Sequence, residues 1–139
     1  VFIFRGAYST VYEATEKRTG NIYAVSVHKR KTTIPEHDQE TVLSIRHNNI
    51  LHCRAIFETD SQNCIVMELA KAGELYDFVV DQGEIKEGIA KHIVMKILSA
   101  MDYLHQRGII HKHLKLEKVY CATSWSELDV KISPWDFFA

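Results

Sequence analysis

No CxxC pair occurs in the sequence, and its three cysteines, Cys53, Cys64 and Cys121, are odd in number and widely spaced. That pattern argues against a thiolate zinc site and against a disulfide framework, which need closely spaced ligands or an even set of thiols. Reduced thiols in a cytoplasmic protein are the expectation. Long hydrophobic runs are missing too: none approaches the roughly 20 residues of a membrane-spanning helix, so no membrane partner is expected. Nor is there an excess of charge of one sign, since 17 Lys and Arg stand against 18 Asp and Glu, a net charge of -1. A nucleic-acid partner would call for a basic excess. No charged-then-apolar leader opens the sequence at Val1, and there is no internal repeat or low-complexity tract. What is present, 46% hydrophobic and 25% charged residues, is the composition of a folded domain. Histidine is plentiful, and His111 and His113 would share one face of a strand. No third ligand stands at a metal-site spacing, so a metal is not expected there.

The first half of the chain reads as strands. "TVYEAT" (Thr10 to Thr15) and "NIYAVSVHK" (Asn21 to Lys29) are β-branched and aromatic, and "EKRTG" between them ends in Gly20, a turn residue. Pro35 opens a short helical stretch, "EHDQETVLSIRH", with Val42, Leu43 and Ile45 as its apolar residues. "ILHCRAIFET" and "NCIVMEL" follow as two further strands around the turn "DSQN". After Gly73 the pattern becomes helical. "ELYDFVVDQG" is a short amphipathic piece closed by Gly83, and Ile89 to Gln106 is the clearest helix in the chain. Its apolar positions Ile93, Val94, Ile97, Leu98, Met101 and Leu104 recur at the helical period and are expected to pack in a core. Gly108, just past its end, suits a left-handed cap. Two short strands, Val119 to Cys121 and Val130 to Ser133, are expected to close the chain as a small hairpin.

In this order the local motifs resemble a eukaryotic-type protein kinase domain of the Ser/Thr class, nearest in flavour to the calcium/calmodulin-dependent group and the giant muscle kinases. "RGAYSTVYEAT" resembles the glycine-rich loop and second strand, "YAVSVHK" the third strand, and "RHNNIL" the segment after the αC helix. "IVMEL" resembles the hinge strand with Met67 as gatekeeper, and "AGELYDFV" the entry to the next helix. "AMDYLHQRGIIHKHLKLEKV" is similar to the αE helix and catalytic loop, and "VKIS" to the strand before the DFG triplet. The resemblance implies an α+β, protein-kinase-like fold. Residues 1–69 would form an antiparallel N-terminal sheet lobe with αC, and residues 70–139 the hinge and first part of the helical C-terminal lobe. It also implies a longer protein, in which the rest of that lobe would cover the αE stripe.

For phosphoryl transfer the family relies on positioning and charge. The resemblance places the nucleotide pocket at Gly6, Val11, Ala24, Ser26, Met67, Glu68 and Leu69. Phe4 stands where the first loop glycine belongs, and Ser9 at the third position. The third-strand lysine, which pairs with the phosphates and with an acid on αC, is Ser26 here. That acid is Glu40 by local pattern or Asp38 by gapless spacing. The family's HRD becomes His111, Lys112 and His113, so a histidine stands where the catalytic carboxylate belongs. Lys115 matches the catalytic-loop lysine. Lys118 replaces the metal-binding asparagine, and an ammonium there repels Mg²⁺. Counting without gaps from "VKIS" sets the triplet on Pro134, Trp135 and Asp136, so the metal-binding carboxylate is lost. A two-residue shift would instead make it Asp136 to Phe138.

The losses fall on the cation, the base and at least one metal position. The resulting expectation is a pseudokinase that binds other proteins as a scaffold or allosteric module, with no cofactor required and ATP able to bind without Mg²⁺. The alternative is a divergent active kinase that uses His113 as base, Asp136 for metal, and Arg5 or Lys115 for phosphate.

Overall fold

The computed structural model describes residues 2–5, 9–29, 34–111 and 114–133, with side chains from residue 10 onward. Two compact units form: Val1–Ile45 with His52–Leu69, and Arg46–Leu51 with Ala70–Ala139.

The first unit is built on five antiparallel strands: β1 (Phe2–Arg5), β2 (Ser9–Thr15), β3 (Ile22–Lys29), β4 (Cys53–Glu58) and β5 (Gln62–Glu68). Their order in the sheet is β1-β2-β3-β5-β4. The β2–β3 turn forms as expected. Gly20 takes a φ of 76°, which a side chain would strain, and its N–H reaches the Glu16 carbonyl at 2.8 Å. Alternation along the strands puts Ala24, Ser26, Asn63, Ile65 and Met67 on one buried face, while Val25, Val27, Cys64 and Val66 are half-buried on the other. Helix α1 (Glu36–Ser44) packs on β4 and buries Val42. Full burial of such a side chain stabilises by about 1.5–3 kcal/mol. Entry to the helix is fixed by the Ile34 N–H, which donates to the Glu58 carboxylate at 2.7 Å.

In the second unit, β6 (Gly73–Glu74), β7 (Val119–Cys121) and β8 (Val130–Ile132) form a sheet in that order, accompanied by α2 (Leu75–Gln82) and α3 (Glu87–Gln106). The expected hairpin β7–β8 is therefore the larger part of a three-stranded sheet. Gly108, with φ 73°, ends α3, and Ile109 N–H turns back to the Leu104 carbonyl at 3.0 Å. Trp125, between β7 and β8, stacks on Phe78 of α2 at 4.7 Å and donates its indole N–H to the Ala72 carbonyl at 3.1 Å. The Lys96 ammonium of α3 donates to the Leu128 carbonyl in the same loop.

Two expectations are corrected. The strand expected from Ile50 starts instead at Cys53. Ile50 pairs in parallel with Ile132, and the Leu51 N–H bonds the Ile132 carbonyl at 2.9 Å, so this segment is drawn to β8 and away from β5. Asn49 reinforces the choice by donating from Nδ2 to the Val130 carbonyl at 3.0 Å. The apolar stripe of α3 is only partly core. Ile93, Ala100 and Leu104 are buried, but Val94 is 52% and Leu98 60% exposed, beside an equally open Met95. The helix packs on β8.

Candidate active-site positions

On β3, residues 24, 26 and 28 face the same side of the sheet. Antiparallel register sets Ala24 beside Met67, and Ser26 between Val11 of β2 and Ile65 of β5. Ala24 and Met67 are buried, and Ser26 is 0% exposed. The Ser26 hydroxyl lies 2.7 Å from Nε2 of His28, a short hydrogen bond between residues two apart on the strand. The small side chain at position 26 is thus enclosed and committed to a neighbour. His28 was not singled out in the sequence; its two-residue offset from Ser26 is the signal that could have found it. Val11 and Leu69 are half-buried. Glu68 points its carboxylate at the His52 backbone, accepting that N–H at 2.8 Å. On α1, Asp38 is half-buried and Glu40 exposed. Gly6 lies outside the described residues.

In the second unit, His111 is buried and Lys115 exposed. One turn of 3₁₀ helix, Leu116–Lys118, is closed by the Lys118 N–H donating to the Lys115 carbonyl at 2.9 Å. The turn packs against β6 and α2, which carry Glu74 and Asp77. Burial raises the Glu74 carboxyl above the usual range, the charges of Asp77 and Glu117 raise it further, and the Lys118 ammonium pulls it back. Lys118 therefore sits within the field of a carboxylate group, with Glu74 a member that the sequence did not single out. Its signal was the acidic "GELYD" itself, read there only as a helix entry. His113, Pro134 and Asp136 lie outside the described residues, so the two counts of the triplet both stand. Among the described residues, no group of three or more His, Cys, Asp or Glu could hold a metal ion. No described helix is long and apolar enough to cross a membrane.

Residues 2–138 match the sequence model of the protein kinase domain. The chain belongs to the protein kinase family. Among its kinase relatives is a probable myosin light chain kinase of Dictyostelium discoideum. That protein is 33% identical over 135 residues, which cover 93% of this chain and 39% of the relative. Calcium/calmodulin-dependent protein kinase type IV of Homo sapiens is 37% identical over 131 residues, 93% of this chain and 28% of that protein. A crystal structure of Rad53 1-466 in complex with AMP-PNP has the same fold, with a TM-score of 0.89 and 28% identity. It is covered to 36%, against 96% of this chain. The chain thus spans less than half the length of these kinases. Within the kinase fold, the positions implied for the nucleotide fall in the first unit and those implied for base and metal in the second.

Proposed function

We propose that this kinase domain is catalytically impaired, a pseudokinase that acts as a protein-binding or allosteric module in the cytoplasm. The observation that carries the reading is the enclosed Ser26–His28 hydrogen bond, at the strand position where the family places its phosphate-binding lysine. A hydroxyl at 0% exposure, already paired, brings neither the charge nor the reach of an ammonium. Lys118 supports the same reading. When bound, Mg²⁺ would neutralise phosphate charge, and an oxygen ligand is needed to hold it. An ammonium at that position does not fit the ion, so no step is routed through it here. His113 at the base position would present a ring where the family presents a carboxylate. Binding of ATP without metal remains compatible with Lys115 and Lys118, both cationic.

One finding favours a second reading, a divergent active Ser/Thr kinase: the relatives of 33% and 37% identity are named as kinases. Two measurements on the full kinase domain separate the readings. The pseudokinase should show no phosphotransfer above that of its His113→Ala variant, and no Mg²⁺-dependent stabilisation by ATP. Phosphotransfer that disappears with His113→Ala, or thermal stabilisation by ATP that requires Mg²⁺, would establish the active kinase instead.

A further inference from the structure

The loop between β7 and β8 is tied down at its base and open at its crest. At the base, Ala122 N–H donates to the Asp129 carbonyl at 2.9 Å. On one side, Trp125 is held by its stack on Phe78 and its bond to Ala72. Beyond these ties stand Ser126 and Glu127, both exposed, followed by Leu128 and Asp129, both half-buried. The Ser126 hydroxyl shares a hydrogen bond with Ser124 Oγ at 2.9 Å, an exposed pairing that water replaces at little cost. Leu128 has a φ of 53°, the left-handed region, and among the described residues it is the one non-glycine found there. Such a conformation is strained for a side chain of this size, and extending the backbone relieves it. The crest is thus the part of the loop that opens most readily.

We infer that Ser126 is a phosphorylation site of this chain, modified by a Ser/Thr kinase whose substrate groove is basic. The run Ser126-Glu127-Leu128-Asp129 sets carboxylates one and three residues after the hydroxyl. Once the segment is extended, residues 127 and 129 fall on one side of it, where a row of Lys and Arg can hold both by charge-assisted hydrogen bonds. The neighbouring hydroxyls are poorer candidates. Ser124 also has an acid three residues on, Glu127, but it is half-buried and adjoins the anchored Trp125. Thr123 has no acid at that spacing, and its hydroxyl is engaged with the Glu127 carboxylate at 3.0 Å. In the transfer, Ser126 Oγ forms a bond to the γ-phosphorus of ATP as the bond to the β-phosphate oxygen breaks. ADP leaves, and the hydroxyl proton passes to the base of the incoming kinase. The site does not depend on whether this chain is itself active.

The test treats the full chain with casein kinase II, an acid-directed kinase, in the presence of labelled ATP and Mg²⁺. A reaction without the added kinase sets the background, and peptide mass mapping locates the phosphate. Label should appear on Ser126, disappear in Ser126→Ala and persist unchanged in Ser124→Ala. Asp129→Asn should slow labelling about tenfold, the value of one charge-assisted hydrogen bond. Label that survives in Ser126→Ala, or equal rates for wild type and Asp129→Asn, would overturn the inference. So would absence of label on the folded chain; a labelled synthetic peptide of residues 120–131 would then place the fault in the loop's conformation and not in its sequence.

Discussion

Glu68 and His52 are joined twice: the Glu68 carboxylate accepts the His52 N–H at 2.8 Å, and the Glu68 N–H donates to the His52 carbonyl at 3.0 Å. This clasp holds the last residue of β5 against the residue that precedes β4, so both strands are fixed at one end by one side chain. The side-chain half is charge-assisted, a class of bond worth about 1.5–3 kcal/mol. Glu68→Ala should therefore destabilise the chain by about 2 kcal/mol, and Glu68→Gln, which keeps an acceptor oxygen, by about half as much. Urea unfolding of the two variants measures this; no loss in Glu68→Gln would mean that the charge contributes nothing.

A second expectation concerns Ser26. Its hydroxyl is fully enclosed and bonded to His28, so Ser26→Ala should cost about 1 kcal/mol, the net value of one hydrogen bond. Ser26→Lys supplies the family's missing cation, yet His113 and Lys118 stay as they are. Restoring the lysine alone should yield no phosphotransfer in a radiolabel assay. Activity in that variant would mean that the loss at position 26 was the whole of the impairment.

His47 gives a pH dependence with a definite sign. Its Nδ1 accepts the Asn49 N–H at 3.0 Å, which requires an unprotonated nitrogen, and Ser99 Oγ lies 3.2 Å from Nε2. Burial lowers its pKa below 6.5, and the nearby Arg107 guanidinium lowers it further. The unfolded chain then takes up the proton first as pH falls. His47 thus contributes stability that is fully present above about pH 6.5 and is lost as pH drops towards its folded value. The stability difference between wild type and His47→Gln should shrink from pH 7.5 to pH 5, as read from urea midpoints at each pH. Arg107→Ala should reduce this pH dependence, because one cause of the depressed pKa is gone.

Much of this architecture could be read from the residues, and the parts that could not share a cause. The Gly20 turn, the two strands around it and α3 follow from local periods of two and 3.6 residues. The kinase positions followed from short motifs in collinear order. The Ile50 bridge was hidden because the choice between β5 and β8 as partner is made by tertiary packing, which a run of apolar residues does not encode. The Ser26–His28 bond was hidden for a different reason. Alternation says that the two side chains share a face, but the rotamers that bring them to 2.7 Å depend on the enclosed setting. Exposure on the α3 stripe was legible from the resemblance, which leaves the rest of that lobe to cover it; that Val94 and Leu98 are the open residues was not, because an amphipathic stripe shows which side is apolar, not which part of it a neighbour covers.

The cysteines should separate by reactivity. Cys53 is buried, and burial pushes its thiol up to about 11, so thiolate is scarce at working pH. Burial raises Cys121 as well, and its Sγ donates to the Ser124 carbonyl at 3.0 Å. Cys64 is half-buried on the more open side of the first unit's sheet. A thiol reagent at pH 8 should modify Cys64 first and leave Cys53 and Cys121 protected until denaturant is added. Peptide mapping of the labelled protein identifies the order; rapid labelling of Cys53 would show that its strand opens readily.

The last expectation tests how Lys118 acts in the second unit. The Glu74 carboxyl is held above the usual range by burial and by Asp77 and Glu117, and Lys118 is the opposing charge. If Lys118 compensates these carboxylates, Lys118→Asn should raise the Glu74 pKa further, visible as a shifted carboxyl carbon titration by NMR. A raised carboxylate pKa means that the folded chain holds the proton more tightly than the unfolded chain. Glu74 therefore costs stability above its folded pKa, and the cost fades as pH falls through the unfolded value. Lys118→Asn should enlarge that cost at neutral pH, and Glu117→Gln in the same background should relieve it by removing one like charge. Loss of both effects would place the Lys118 ammonium in solvent, away from Glu74, and remove its charge from the account of the impaired site.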